Sequence, residues 1–206
     1  MTSKLLLIIF LFMSVLGSSQ KIDTVLASPI LNSYMCIKYK QPLFVSYLLY
    51  NGGGDESRSG LSFRSIRGIT SNAGEYSHSG YDQGHMASAE DFANDSVNIR
   101  LTFYFYNCLP QTPSLNRGMW KNWETKVREE SQNDSLLIIC GGYDFRPVGK
   151  LFVPTKCFKV VKNLTTDVIT HVLIFTNTAS GNTWTESTLE VLVKQSKYVK
   201  LKELVK

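Results

Sequence analysis

The sequence is poor in histidine, with three, and has four cysteines without one Cys-x-x-Cys pair. The missing pair removes the usual nucleus of a structural zinc site. No segment recurs at a fixed period, which argues against solenoids and propellers, and there is no low-complexity tract. Beyond the first twenty residues no apolar run approaches the roughly 20 residues that a membrane-spanning helix needs. Neither sign of charge dominates. Lys and Arg number 22 against 17 Asp and Glu, a net +5, and the basic residues are scattered, so charge by itself marks no groove. What remains is a chain of 206 residues, 43% hydrophobic and 19% charged, suited to one domain with a sizeable core.

The one long apolar run is at the start. Lys4 precedes residues 5–15, almost unbroken in apolar side chains, and Gly17-Ser18-Ser19 follows as a small-residue cleavage site. This pattern reads as a signal peptide over 1–19, cleaved near Ser19 or Gln20, with an uncleaved anchor as the alternative. It implies a secreted or periplasmic protein with no stable membrane association. Removing residues 1–20 takes away one lysine and no acid, which lowers the charge from +5 to +4. That modest excess favours a polyanionic partner. An exported chain with Cys36, Cys108, Cys140 and Cys157 can form disulfides, and Cys140 with Cys157 is the pair to test. All but Cys36 lie in or beside apolar runs, so buried free thiols are the other reading.

The rest has an α+β pattern. Residues 34–39, 43–49, 101–106, 136–140, 151–153, 157–161 and 167–175 read as strands. Gly141-Gly142 is expected to stop one of them and Pro154 to separate two others. Residues 52–80, rich in Gly, Ser and Arg, read as a long surface loop of the kind that carries function. Pro113 and Ser114 open a helix that runs to about residue 130. Residues 189–198 fit either a strand or a short helix.

Residues 80–128 carry the chemistry. His85 ends a turn, Asp82-Gln83-Gly84-His85. The helix beyond it carries Asn116, Trp120, Glu124 and Arg128, an i, i+4 row that can face one cleft. Phosphodiester hydrolysis needs a base for water, a cation for the charge on phosphorus and help for the departing oxygen. A histidine suits the first task. A hard cation such as Mg²⁺ suits the others, because it takes oxygen ligands and keeps most of its waters, so one amide oxygen can hold it. Asn116 is that candidate. Glu124 can accept from the cation's waters and Arg128 can bind a phosphate oxygen. Each residue also has a structural reading: a core histidine, a helix cap at Asn116, and a helical ion pair between Glu124 and Arg128.

The ordered combination resembles the DNA/RNA non-specific endonucleases, the ββα-metal or His-Me finger group. Their pattern is Asp-Arg-Gly-His, then Asn-x-x-Pro-Gln, then Asn-x-Gly-x-Trp and a Glu on one helix. Here Asp82-Gln83-Gly84-His85 matches except at Gln83. Asn107-Cys108-Leu109-Pro110-Gln111 matches the second part, and Asn116-Arg117-Gly118-Met119-Trp120 with Glu124 the third. Residues 151–161 resemble the family's Val-Pro-Thr strand pair. The likeness spans roughly residues 34–175 within a domain read at 30–200. It implies an antiparallel sheet with packed helices and a ββα site, with DNA and RNA as substrates and Mg²⁺ as cofactor, Mn²⁺ substituting. It assigns His85 as general base, Asn116 as metal ligand, Glu124 as holder of the cation's waters, and Asn107 and Arg128 as supporting residues. Products with 5′-phosphate ends and indifference to sugar and sequence follow from the same likeness.

Gln83 departs from the pattern, because glutamine brings no charge where the family has arginine. Arg64, Arg67 or Arg117 can supply a replacement, with Gln83 and Arg117 as the substrate-binding candidates. A weakly active or inactive nucleic-acid-binding relative is the alternative reading, and an unrelated exported binding module with a structural His85 is a third. A zinc HNH enzyme fits poorly, since the helix has no second histidine. Nothing in these patterns sets an oligomeric state.

Overall fold

The computed structural model describes residues 21–179 and 183–206. The leader read at 1–19 lies outside them. Among the described residues nine strands form: β1 (Thr24–Ala27), β2 (Asn32–Cys36), β3 (Gln41–Leu49), β4 (Asp82–His85), β5 (Cys108–Gln111), β6 (Leu136–Val148), β7 (Leu151–Asn163), β8 (Val168–Thr176) and β9 (Trp184–Glu186), and the segment 52–80, expected to be a loop, carries a short helix, α1 (Ala73–Tyr76). Seven make one sheet in the order β1-β2-β3-β6-β7-β8-β9, and β4 pairs with β5 alone. Every pairing between these strands is antiparallel. The class is α+β, as expected. Among the described residues no helix is long and apolar enough to cross a membrane.

The sheet is covered on both faces, and strand alternation decides what goes where. In β7, Cys157 and Val161 join Leu173 and Phe175 of β8 in one apolar cluster, with Trp120, Trp123 and Val127 packed on it. Phe158 and Val160 point the other way, to Val172, Ile174 and the C-terminal Leu192, Tyr198 and Leu201. The first cluster therefore seats the helix α3 (Lys121–Glu130) and the β4–β5 pair on the sheet. The second seats α4 (Leu189–Ser196) and α5 (Lys200–Leu204). Residues 189–196 thus resolve as helix: Thr188 caps the end by accepting from Val191 N–H.

Three expectations from local sequence give way to packing. Residues 101–106 are not a strand. Asp95 accepts from Val97 and Asn98 N–H and caps a helix, α2 (Ser96–Thr102), and a 3-10 turn, Phe105–Asn107, follows. Phe103, Phe105 and Tyr106 are buried by cluster packing rather than by sheet pairing, and half-buried Tyr104 makes one isolated bridge to Arg64. Gly141-Gly142 does not stop β6, which runs on to Val148. A Cβ at Gly142 would stand 2.6 Å from Pro154 Cβ, and one at Gly141 would collide with the Leu43 carbonyl, so these glycines permit close neighbours inside the sheet. Pro154 likewise sits within one continuous β7, opposite Phe145.

The four cysteines are buried and free, so the Cys140–Cys157 disulfide is not formed. In the β6–β7 ladder Cys140 stands opposite Lys159 and Cys157 opposite Gly142. The Cys140 Sγ is taken by Lys159 Nζ at 3.0 Å.

Candidate active site

The Asp-x-Gly-His segment, expected as a turn, is the strand β4, extended by its pairing with β5. Asp82 is paired with Gln111, Gln83 with Pro110, Gly84 with Leu109 and His85 with Cys108. Gly84 is dictated by proximity, since a Cβ there would collide with the buried Gln111 side chain. Beyond His85 the chain is stapled by Asn107. Its Oδ1 accepts from Ala87 N–H at 2.8 Å, and its Nδ2 donates to the Ala87 and Thr102 carbonyls, both at 2.9 Å. Asn107 is fully buried and both ends of its amide are committed to backbone, so it supports the site without reaching into it. Replacing it with alanine strands three buried backbone groups, an expected cost of about 3–4 kcal/mol. Thermal melting of Asn107→Ala should show a drop of about 10 °C. A melt within a degree or two of wild type would mean that water or a shifted loop satisfies those groups.

His85 sits between aromatic rings: Phe63 at 4.5 Å and, edge-on, Phe103 at 4.7 Å between centroids. Its Nε2 is buried and has no hydrogen-bond partner. Burial, and secondarily the charge of Arg58, hold its pKa down at about 3. The ring is therefore neutral at neutral pH. A neutral imidazole nitrogen without a protein partner can accept a proton from a group brought within its reach. Phe63 and Arg58 both belong to the 52–80 loop, which thereby builds one wall of the site. Of the cations proposed to replace the family arginine, Arg64 and Arg67 are exposed. The cation that His85 senses is Arg58, which sequence reasoning passed over and which is tied to Glu90 at 3.3 Å.

Asn116 lies on a π-helical turn, Leu115–Trp120, that leads into α3. Gly118 has non-helical backbone angles, φ −108° and ψ −110°. The even i, i+4 row from Asn116 to Arg128 is therefore interrupted: residues 120, 124 and 128 keep their spacing, and Asn116 is carried ahead of the kink. Its partner is Asp82. Asn116 Nδ2 donates to Asp82 Oδ2 at 3.0 Å, so the amide nitrogen is used and the Oδ1 end remains for another partner. Arg117 closes on the same carboxylate, with Nε to Oδ2 at 2.8 Å and Nη2 to Oδ1 at 2.7 Å. Arg117 is thus turned onto Asp82. Its hydrogen bond, and then that from Asn116, hold the Asp82 carboxyl below its ordinary range against partial burial. Asp82, Gln83 and Asn116 line an open cleft of about 380 Å³ together with Tyr76 and Tyr81.

A charge cluster joins α3 to β7, with Asp91 and Lys159 buried and Glu124 and Arg128 half-buried. Burial pushes the Glu124 carboxyl up to about 7, with Asp91 adding to the rise and Lys159 and Arg128 opposing it. Arg128 donates from Nε to Asp91 Oδ1 at 3.0 Å and reaches Ser88 Oγ at 3.5 Å. Tyr47 O–H donates to the other Asp91 oxygen at 2.9 Å. Arg128 is therefore the counter-ion of a buried aspartate. Lys159 is 1% exposed. By strand alternation it occupies an inward slot between Cys157 and Val161, and its Nζ lies 4.5 Å from the Trp120 ring centroid. A lysine in that slot was the available signal in the sequence. Trp120 joins the halves of the site, since its Nε1 donates to the His85 carbonyl at 3.2 Å while its ring covers Lys159. His171, outside this cluster, is held by Glu130 at 3.0 Å and packs edge-on to Trp123.

The arrangement fits a hard divalent cation. Among the described residues no three His, Cys, Asp or Glu side chains converge as a ligand cage. The donors are instead an amide oxygen freed by its own nitrogen's bond, with Glu124 on the succeeding helix, which suits an ion that keeps most of its waters.

Residues 17–204 match the sequence model of the DNA/RNA non-specific endonucleases. The chain belongs to that family. A nuclease from a Nostoc species is 41% identical over 90 residues, 42% of this chain and 33% of the relative. Mitochondrial endonuclease G of Bos taurus is 31% identical over 129 residues, 52% of this chain and 43% of the relative. The chain thus matches less than half the length of these relatives. The solved structure of the EndoG/EndoGI complex superposes with a TM-score of 0.71 at 21% identity, covering 86% of this chain and 85% of that one, and so shares its fold. Family members are named nucleases and endonucleases, and the family is metal-dependent.

Proposed function

We propose that the protein is an endonuclease that hydrolyses phosphodiester bonds in DNA and RNA with Mg²⁺, for which Mn²⁺ can substitute. The observation that carries this reading is the unpaired, neutral Nε2 of His85 beside a helix whose Asn116 amide has its nitrogen tied and its oxygen spare. His85 accepts the proton of the attacking water. An anionic phosphate next to the ring raises its basicity and offsets part of the burial. Asn116 would hold the cation through Oδ1, and Glu124 would accept hydrogen bonds from the waters around it. A cation held there would supply Lewis-acid stabilisation of the phosphate charge and of the departing 3′ oxygen, whose bond to phosphorus breaks as the water oxygen bonds to it, leaving a 5′-phosphate. None of these residues reads a base edge, which is consistent with action on both nucleic acids without sequence preference. Export, inferred from the leader, belongs to the same proposal and is checked by N-terminal sequencing of protein recovered outside the cell. The main test is plasmid DNA and RNA incubated with the protein and Mg²⁺, with EDTA as control. Cleavage abolished by EDTA supports the reading. A folded protein that binds DNA but leaves it intact in both Mg²⁺ and Mn²⁺ would support the inactive relative instead.

Gln83 faces the same cleft without a charge. Gln83→Arg should raise turnover by about 10–100-fold, the worth of one charge-assisted contact. Unchanged turnover would show that the missing arginine does not limit this enzyme.

A further inference from the structure

The bond from Asn116 to Asp82 raises a question of selectivity at the cation site. A divalent cation prefers an anionic carboxylate to a neutral amide. Asp82 Oδ2 lies only 3.0 Å from the Asn116 amide nitrogen. A free Asp82 would therefore be drawn in as a second protein ligand. It would bring negative charge to the cation, weaken the cation's pull on phosphate and take a position that substrate oxygen needs. The guanidinium of Arg117 stands in the way, since its fork uses both oxygens of Asp82 at 2.8 and 2.7 Å.

We propose that Arg117 is a positioning residue for the cation site. By clamping both carboxylate oxygens it keeps Asp82 out of the cation's coordination and holds it as the acceptor that turns the Asn116 oxygen outward. This rests on the reading of Asn116 as the cation's ligand. A purely structural role predicts something different, because the Arg117 side chain is 72% exposed and such a pair contributes little to stability.

The test is Mn²⁺ affinity of the full chain without nucleic acid, followed by electron paramagnetic resonance of the free ion, beside kcat and KM on DNA. Arg117→Ala should tighten Mn²⁺ binding by about tenfold, as one added carboxylate ligand would, while kcat falls. Arg117→Lys, which keeps the charge and loses the fork, should fall between. The gain must disappear in Arg117→Ala with Asp82→Asn, where no carboxylate is left to enter. Unchanged or weaker Mn²⁺ binding in Arg117→Ala, or a gain that survives in the double variant, overturns the proposal. Asn116→Ala separates the two levels. If it binds Mn²⁺ like wild type, the cation reading itself is wrong. If it loses Mn²⁺ while Arg117→Ala behaves like wild type, only the clamp is wrong. Thermal melts of each variant confirm that binding is read on folded protein.

Discussion

His85→Ala is expected to lower cleavage of DNA and RNA by about 10³-fold while leaving the protein folded. The ring's Nε2 makes no hydrogen bond that the fold would lose. The cost of removal is the packing against Phe63 and Phe103. A structural histidine predicts the reverse, a large drop in melting temperature with activity falling only as far as folding does. Stability against pH sharpens the distinction. His85 is held neutral down to about 3 in the fold, against an ordinary value of 6.5. The unfolded chain therefore takes up this proton first on acidification. This group's contribution is complete above 6.5 and is lost as the pH falls towards 3, at about 1.4 kcal/mol per pH unit. His85→Ala removes that loss. Its stability relative to wild type should rise steadily on acidification below pH 6.5, whatever constant offset the lost packing adds. Melts of the two proteins that run parallel with pH would count against a His85 held neutral by the fold.

Glu124→Gln should be nearly inactive, by about 10²–10³-fold, and yet more stable than wild type above neutral pH. Burial raises the Glu124 carboxyl from 4.5 to about 7. The folded state thus holds this proton longer than the unfolded one. Its favourable contribution is complete below 4.5 and is lost as the pH rises to about 7, where the ionised side chain burdens the fold. Glutamine copies the protonated form at every pH. The variant should gain about 2–3 kcal/mol at pH 8 and nothing at pH 4.5. Between 4.5 and 6.5 the contributions of Glu124 and His85 have opposite slopes, so they largely cancel in the wild type and each single variant exposes the other. A Glu124→Gln protein less stable than wild type at pH 8 would mean that Lys159 and Arg128 depend on the carboxylate more than its burial opposes it.

The sheet was readable in the sequence where alternation or apolar runs are strong, as in β3 and β8. It was misread where local composition is overruled by neighbours. Gly141-Gly142 is a break signal only until Leu43 and Pro154 are known to pass close by. The aromatic run 101–106 has strand propensity, yet Asp95 caps a helix into it and cluster packing takes its rings. Within the site, the motif spacing named His85, Asn116, Glu124 and Arg128 because the residues needed for this chemistry are few and lie on two short segments.

The sequence by itself determined the family, the α+β class and the identity of the candidate base and cation ligand, since residue type and order along 80–128 are enough for that. Only the tertiary structure decided what those residues are free to do. Arg128 is taken by Asp91 and Asn107 by backbone. Asp82 is closed by Arg117, and Arg58 and Lys159 become the charges felt at His85 and Glu124. Hydrogen-bond commitment and burial are properties of distance and surrounding, and the residues that set them here are separated by tens of positions along the chain.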